Sequence, residues 1–167
     1  MGLVDALLPE FDREMGVTRR LLERVPDGQF GWQPHPKSMT LGRLVEHLAE
    51  LPQWVGATVL DSSLDLAAAR RPEGYQPPAT RAAVLTMFDQ NVGAARGVLA
   101  GRSDAELMAP WSLLRGEQTI FTMPKAGVLR AFVLNHIVHH RGQLSVYLRL
   151  RDVPLPSIYG PSADESI

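Results

Sequence analysis

KAGVLRAFVLNHIVHHRGQLSVYLRLR, residues 125–151, is the longest segment of this chain in which apolar residues recur without interruption at helical spacing. It predicts a helix that starts at Lys125 or Gly127, runs to about Arg151 and stops before Pro154, because proline cannot continue a helix. Three of the chain's five histidines, His136, His139 and His140, fall inside it within a few residues of one another. On a helix His136 and His140 stand about 40° apart in azimuth and about 6 Å apart along the axis, so both rings can reach one ion. With His136 as the zero of the wheel, Leu129, Val133, Gln143 and Tyr147 lie within roughly 60° at about 100° per residue, which puts the pair on the buried stripe. His139 lies on the other shoulder, where three roles are open: second ligand in place of His140, orienting group, or packing between helices.

Upstream, Trp111 to Met123 alternates around Arg115-Gly116 and predicts a small β-hairpin before the last helix, preceded by a short helical turn from Ser103 to Leu107. A third helix is expected from the Thr80 cap to about Leu99, stopped by Gly101, with Val84, Met87, Phe88, Asn91, Val92, Ala95 and Leu99 on its stripe. The segment Asp61 to Pro78, rich in Ser, Pro and Gly, reads as the long connection that crosses the end of a bundle. A second helix should begin at Ser38 or Thr40 and reach about Leu60, with Leu44, His47, Leu51, Trp54 and Thr58 on one face. Pro52 interrupts it, so a kink near Leu48 or an earlier end is expected, and both leave His47 upstream of the break. Pro26 to Met39 is an ordered loop, and the first helix, Leu3 to Val25, carries Leu3, Leu7, Phe11, Met15, Thr18, Leu22 and Val25 on its buried side. The tail, Pro154 to Ile167, reads as an irregular arm. The expected fold is therefore all-α, one domain over residues 1–167 built as a four-helix bundle.

The bulk composition limits what such a bundle does. At 167 residues, 45% apolar and 21% charged, the chain buries a core without staples. A formal net charge of -1 lacks the dense basic patch of nucleic-acid binders, and Arg19-Arg20 and Arg70-Arg71 are too short for a polybasic anchor, so neither nucleic acid nor membrane is an expected partner. No apolar run approaches membrane-spanning length and Met1-Gly2-Leu3-Val4-Asp5 has no basic start, from which a cytoplasmic location is expected. Cysteine is absent, which excludes disulfides and thiolate ligands and leaves imidazole and carboxylate as the strong metal ligands.

A third ligand has to come from another helix, and His47 sits mid-stripe on the second. Imidazoles directed into an apolar interior are costly unless their nitrogens are satisfied, by hydrogen bonds or by an ion held in common. Glu50, one turn after His47, is a candidate to orient an imidazole. Arg141 and Gln143 could reach a substrate or cap backbone groups, Tyr147 could bring its hydroxyl to the cavity, and His35, between two prolines, reads as a loop residue. The glycine-rich phosphate loops, the Gly-x-Ser-x-Gly elbow and the His-Glu-x-x-His motif are all missing.

The run Asn-His-Ile-Val-His-His-Arg-Gly-Gln-Leu (135–144), followed by Tyr147-Leu148-Arg149, resembles the DinB/YfiT superfamily of metal-dependent enzymes. Trp32 with Pro34, Ser38 to Gly42 ahead of His47, and Val153-Pro154 through Tyr159 to Ser162 resemble the same family in the same order. The resemblance implies an up-down-down-up four-helix bundle in which His47, His136 and His140 hold one divalent metal ion. It also implies homodimers and a small-molecule substrate, since characterised relatives include transferases and isomerases that use low-molecular-weight thiols such as bacillithiol or mycothiol. Pro52 departs from the uninterrupted helix usual in that family. Zinc suits three imidazoles and nickel is also compatible. The expected reaction has a metal-bound thiol attacking a small electrophile, with Tyr147 and Arg141 as helpers. A metal-bound water hydrolysing a small amide or ester is the enzymatic alternative, and a stress protein that sequesters metal or a small ligand is the non-catalytic one.

Overall fold

The structure, a computed structural model, describes residues 2–166. Met1 and Ile167, the outermost residues of the expected N-terminal and tail segments, lie outside them. Helix α1 (Leu3–Leu22) buries Leu7, Phe11, Met15, Thr18 and Leu22 of the predicted stripe, leaves Leu3 half-buried, and ends before Pro26, with Val25 buried just beyond it. Thr40 caps α2 (Leu41–Glu50), its hydroxyl accepting the Arg43 N–H at 3.2 Å. The expected second helix is in fact two: α2 ends at Glu50 and α3 (Gln53–Val59) starts after Pro52, which has no N–H to continue the ladder. Helix α4 (Arg81–Leu99), capped by Thr80, buries Val84, Phe88, Ala95 and Leu99. The amide of Asn91 donates to the Ala49 carbonyl at 2.8 Å and ties α4 to α2.

Helix α5 (Asp104–Met108) carries a reciprocal cap in which the Ser103 hydroxyl accepts from the Glu106 N–H and the Glu106 carboxylate accepts from the Ser103 N–H. The predicted hairpin follows as β2 (Pro110–Arg115) and β3 (Gln118–Pro124), antiparallel, with Arg115 opposite Gln118 and a two-residue turn whose Gly116 takes φ 58°. A positive φ at the first central position is the residue type's usual use in such hairpins. The all-α expectation needs correcting at this point. Strand β1 (Ser63–Asp65), from the connection read as irregular, pairs parallel with β2 and makes a three-stranded sheet in the order β1-β2-β3.

The final helix differs from a uniform one. A short α6 (Lys125–Val128) leads into a π-helical turn, Leu129–Leu134, before α7 (Asn135–Arg149). There the Asn135 N–H bonds back five residues to Arg130, and the wider turn keeps Leu129, Val133 and Leu134 buried while Phe132 stacks on Phe121 of β3 at 4.8 Å. Such turns often occur beside functional residues, and His136 follows this one directly.

Helices α1, α4, α2 and α7 pack pairwise in a closed ring, α1 on α4, α4 on α2, α2 on α7 and α7 on α1, around one apolar core. The sheet forms a second small core from Trp111, Leu113 and Val128, with Phe121 and Phe132 against it. Two bonds fasten it to the end of α3, where carbonyls lack helical partners: Trp111 Nε1 donates to Ala57 and Lys125 Nζ to Val59. The loop before α2 fixes that helix from the other side. The Leu41 and Gly42 amides donate to the Trp32 and Phe30 carbonyls at 2.7 and 2.8 Å, and a Cβ on Gly42 would sit 2.9 Å from the Phe30 oxygen. The tail is irregular, as expected, and is pinned by Arg149 to Asp164 and by Arg20 and Arg24 to Glu165. Among the described residues no helix is long and apolar enough to cross a membrane.

Candidate metal centre

His47 lies on α2, and His136 and His140 lie one turn apart on α7, the helix packed against it. Their imidazoles converge. His136 Nε2 is 2.8 Å from His140 Nε2 and 3.4 Å from His47 Nε2, and one ligand nitrogen from each ring lies within 4.8 Å of the others. His140 is buried and the other two are half-buried, so the rings line the wall of the helical core rather than standing in solvent.

Removal from water disfavours an imidazolium, and the rings also repel one another's charge. Burial, then His140, His136 and Arg43, push His47 down to about 4, with only partial opposition from Glu46. Burial lowers His136 against a hydrogen bond to the Phe132 backbone that favours the charged form. It lowers His140 as well, against a bond between Nδ1 and Gln143 Oε1 of 2.7 Å. All three rings are therefore biased toward the neutral form.

Neutral imidazoles whose lone pairs are turned toward one point repel unless a cation or a shared proton lies between them. A divalent ion with Zn–N bonds of about 2.0–2.1 Å at tetrahedral angles separates its nitrogens by about 3.3 Å, and the 2.8 and 3.4 Å contacts bracket that spacing. The donor set fits an ion of the zinc or nickel type, and three protein ligands leave a position open.

The other residues read as possible site members stand elsewhere. His139 is exposed, its ring centroid 4.8 Å from that of His140, and it is not one of the three that converge. The Tyr147 hydroxyl donates to the Met39 carbonyl at 3.2 Å while its ring packs edge-on against Trp32. Arg141 is directed to α1, where it donates to Glu14 Oε2 at 2.6 Å, to the Glu14 carbonyl, to Thr18 and to the Tyr159 hydroxyl. Glu50, expected as a group that orients an imidazole, accepts from Arg43 and Arg71 instead. His35 is exposed on its loop, its Nδ1 accepting the Lys37 N–H.

One cluster beside the site was not visible in the sequence. Glu46 is buried next to His47 and accepts from Arg71 at 2.5 Å, from the Tyr75 hydroxyl at 2.8 Å and from Arg43 at 3.0 Å. Burial opposes its ionisation, but the bonds from Arg71 and Tyr75 and the charges of Arg43 and Arg71 outweigh that and hold its carboxyl below the usual range. Two of its partners come from the connection between β1 and α4, 25 and 29 residues along the chain, and no local spacing announces such pairs.

The family model described as the DinB superfamily matches residues 10–144, a span that contains His47, His136 and His140. The Bacillus subtilis (strain 168) protein YrdA is 26% identical over 162 residues, covering 97% of this chain and 91% of its own. Among solved structures, a DinB-like protein from Bacillus cereus is similar at TM-score 0.71 and 22% identity, covering 93% of this chain and 97% of that one. A second DinB-like protein, YjoA of Bacillus subtilis, is similar at TM-score 0.69 and 16% identity, covering 88% and 92%. The two structures share the fold, and the family match, extending over most of the sequence, establishes that this chain belongs to the DinB superfamily.

Proposed function

We propose that this protein is a divalent-metal-dependent enzyme that uses a low-molecular-weight thiol, of the bacillithiol or mycothiol kind, in a transfer or isomerisation on a small electrophile. The observation that carries this reading is the convergence of three neutral imidazole nitrogens from two helices with no carboxylate or thiolate among them. His47, His136 and His140 would hold the ion. Bound there, zinc or nickel would supply a Lewis-acidic position at which a thiol loses its proton near neutral pH. The three rings contribute no negative charge, which favours an anionic fourth ligand. Burial keeps them unprotonated and so available as donors. Glu46 is the adjacent buried carboxylate, and Arg43, Arg71 and Tyr75 occupy it, so it does not serve as a base.

The ring of helices is read as the up-down-down-up four-helix bundle of this family, and the protein as a cytoplasmic homodimer acting on a small molecule. Exposed Val146 on α7 and Leu150 at its C-terminal cap support the dimer. Two measurements test the function. Elemental analysis should find about one divalent ion per chain in the wild type and almost none in His136→Ala. A panel of thiols paired with electrophiles should show turnover on the metal-loaded protein that His140→Ala abolishes. Equal metal in both proteins removes the reading, and metal without turnover on any pair replaces the enzyme with a metal carrier.

A further inference from the structure

On α7, His140 has its second ring nitrogen engaged by a side chain of the same helix. His136 bonds to the Phe132 backbone one turn upstream, and His140 Nδ1 lies 2.7 Å from the side-chain oxygen of Gln143, three residues downstream. A histidine can offer a lone pair at Nε2 only when its proton resides on Nδ1, and that choice follows from what faces Nδ1. For His140 it depends on one side chain.

We infer that Gln143 is a positioning residue that holds His140 as the Nδ1–H tautomer and turns its Nε2 lone pair toward His47 and His136. The inference rests on the metal reading for its purpose, although not for its chemistry. Gln143 is exposed and its side chain has no other hydrogen-bond partner among the described residues, so within the protein its amide oxygen is directed to this ring alone. The spacing supports the assignment, because residues three apart on a helix share a face.

The identity of the acceptor also matters. A carboxylate there would place a negative charge behind the ring and raise the basicity of the ligand. An amide fixes the same tautomer without charge, so the centre retains the full positive charge of its ion and its preference for an anionic substrate atom. Gln143 thus sets two properties at once: the direction of the donor and the electrophilicity of what it holds.

The test uses the full-length protein with imidazole nitrogens labelled with nitrogen-15. In chelator-treated protein at about pH 8, where histidine is neutral, long-range proton–nitrogen spectra should show His140 as Nδ1–H. Gln143→Leu should shift it toward Nε2–H, and Gln143→Glu should restore Nδ1–H. Zinc affinity, measured by competition with a chromophoric chelator, should fall about 10–100-fold in Gln143→Leu and return in Gln143→Glu, the range found for partners that orient metal ligands. A melting temperature that stays at the wild-type value in both variants separates positioning from loss of fold.

The inference is overturned if wild-type His140 carries its proton on Nε2, which is the outcome if the Gln143 amide faces the ring with its NH2. It is also overturned if Gln143→Leu leaves both tautomer and zinc affinity unchanged. A wild type that shows the Nδ1–H form and its loss in Gln143→Leu, yet takes up no zinc, upholds Gln143 and removes the metal reading instead.

Discussion

His140 and Arg141 are neighbours in the chain, and the polar clusters they join on two faces of α7 are built on opposite plans. Arg141 is among the largest fully buried side chains, and everything it needs comes from the protein: the Glu14 carboxylate and carbonyl, the Thr18 hydroxyl and the Tyr159 hydroxyl, which itself donates to Glu14 at 2.7 Å. His140 is buried with two other imidazoles whose nitrogens face one another and find no carboxylate between them. The first cluster is closed, and each donor has its acceptor. The second contains no opposite charge: its ring nitrogens meet only one another, an arrangement that a proton shared between rings or a bound cation satisfies. The closed network fastens α1, α7 and the tail together; the other is the candidate metal centre. The comparison also shows that Arg141, adjacent to the histidines in the sequence, is directed to α1 and the tail rather than toward the converging rings.

The contrast can be broken most severely at its closed side. Arg141→Met leaves the buried Glu14 carboxylate with the Tyr159 hydroxyl but no cation, and loss of one member of such a buried ion pair costs about 3–5 kcal/mol. In a chain of this size that lowers the melting temperature by about 10 °C, read by circular dichroism. Glu14→Leu combined with Arg141→Met should recover most of the loss, because the remaining charge is gone. On the histidine side the same measurement should find almost nothing: His136→Ala should leave the metal-free melting temperature near the wild-type value. Its loss should appear as a decrease on the order of 100-fold or more in zinc affinity, equivalent to about 2.7 kcal/mol.

Between these lies a change that acts on the site through the backbone. Gly42→Ala places a Cβ against the Phe30 carbonyl and ring, and the shift needed at the start of α2 should cost about 1–3 kcal/mol in a denaturant melt. His47 follows one turn later on the same helix, so zinc affinity should fall with it.

A gentler probe is pH. The folded-state values of His47, His136 and His140 lie below the ordinary histidine value of 6.5, so between those values the unfolded chain binds more protons than the folded one. The stability they contribute is complete above about pH 6.5 and is lost as the pH falls, with His47 continuing to lose it down to about 4. The metal-free melting temperature should therefore decline by a few degrees over that interval, and His47→Gln should flatten the decline. The smallest effect belongs to the surface. Arg96 and Asp12 join α4 to α1 by an exposed pair, and Arg96→Ala should cost no more than about 1 kcal/mol, less in high salt.

Much of this was legible in local pattern. The i, i+4 spacing of His136 and His140 is a property of any helix, and the apolar stripes of α1 and α4 predicted most of their buried faces, although Leu3, Met87, Asn91 and Val92 are only half-buried and Val17 and Leu21 are buried beside the stripe. Pro52 announced its break because a missing N–H acts within one turn. The π-helical turn left no such mark. Leu129 to Leu134 is as apolar as an ordinary helix, and the wider turn goes with the stacking of Phe132 on a strand contributed by another part of the chain. The same holds for β1, which is a strand only because β2 offers it an edge.

The amino-acid sequence by itself determined the helices, the hairpin turn at Gly116 and the pairing of two imidazoles on one helical face, since each depends on residues within a few positions of one another. Only the tertiary structure decided that His47 meets that pair, that Glu14 receives Arg141 and that Glu46 is occupied by Arg71 and Tyr75. The physical reason is that such contacts depend on how separate helices are rotated and brought together, and that arrangement belongs to the packing of the whole core rather than to any single segment.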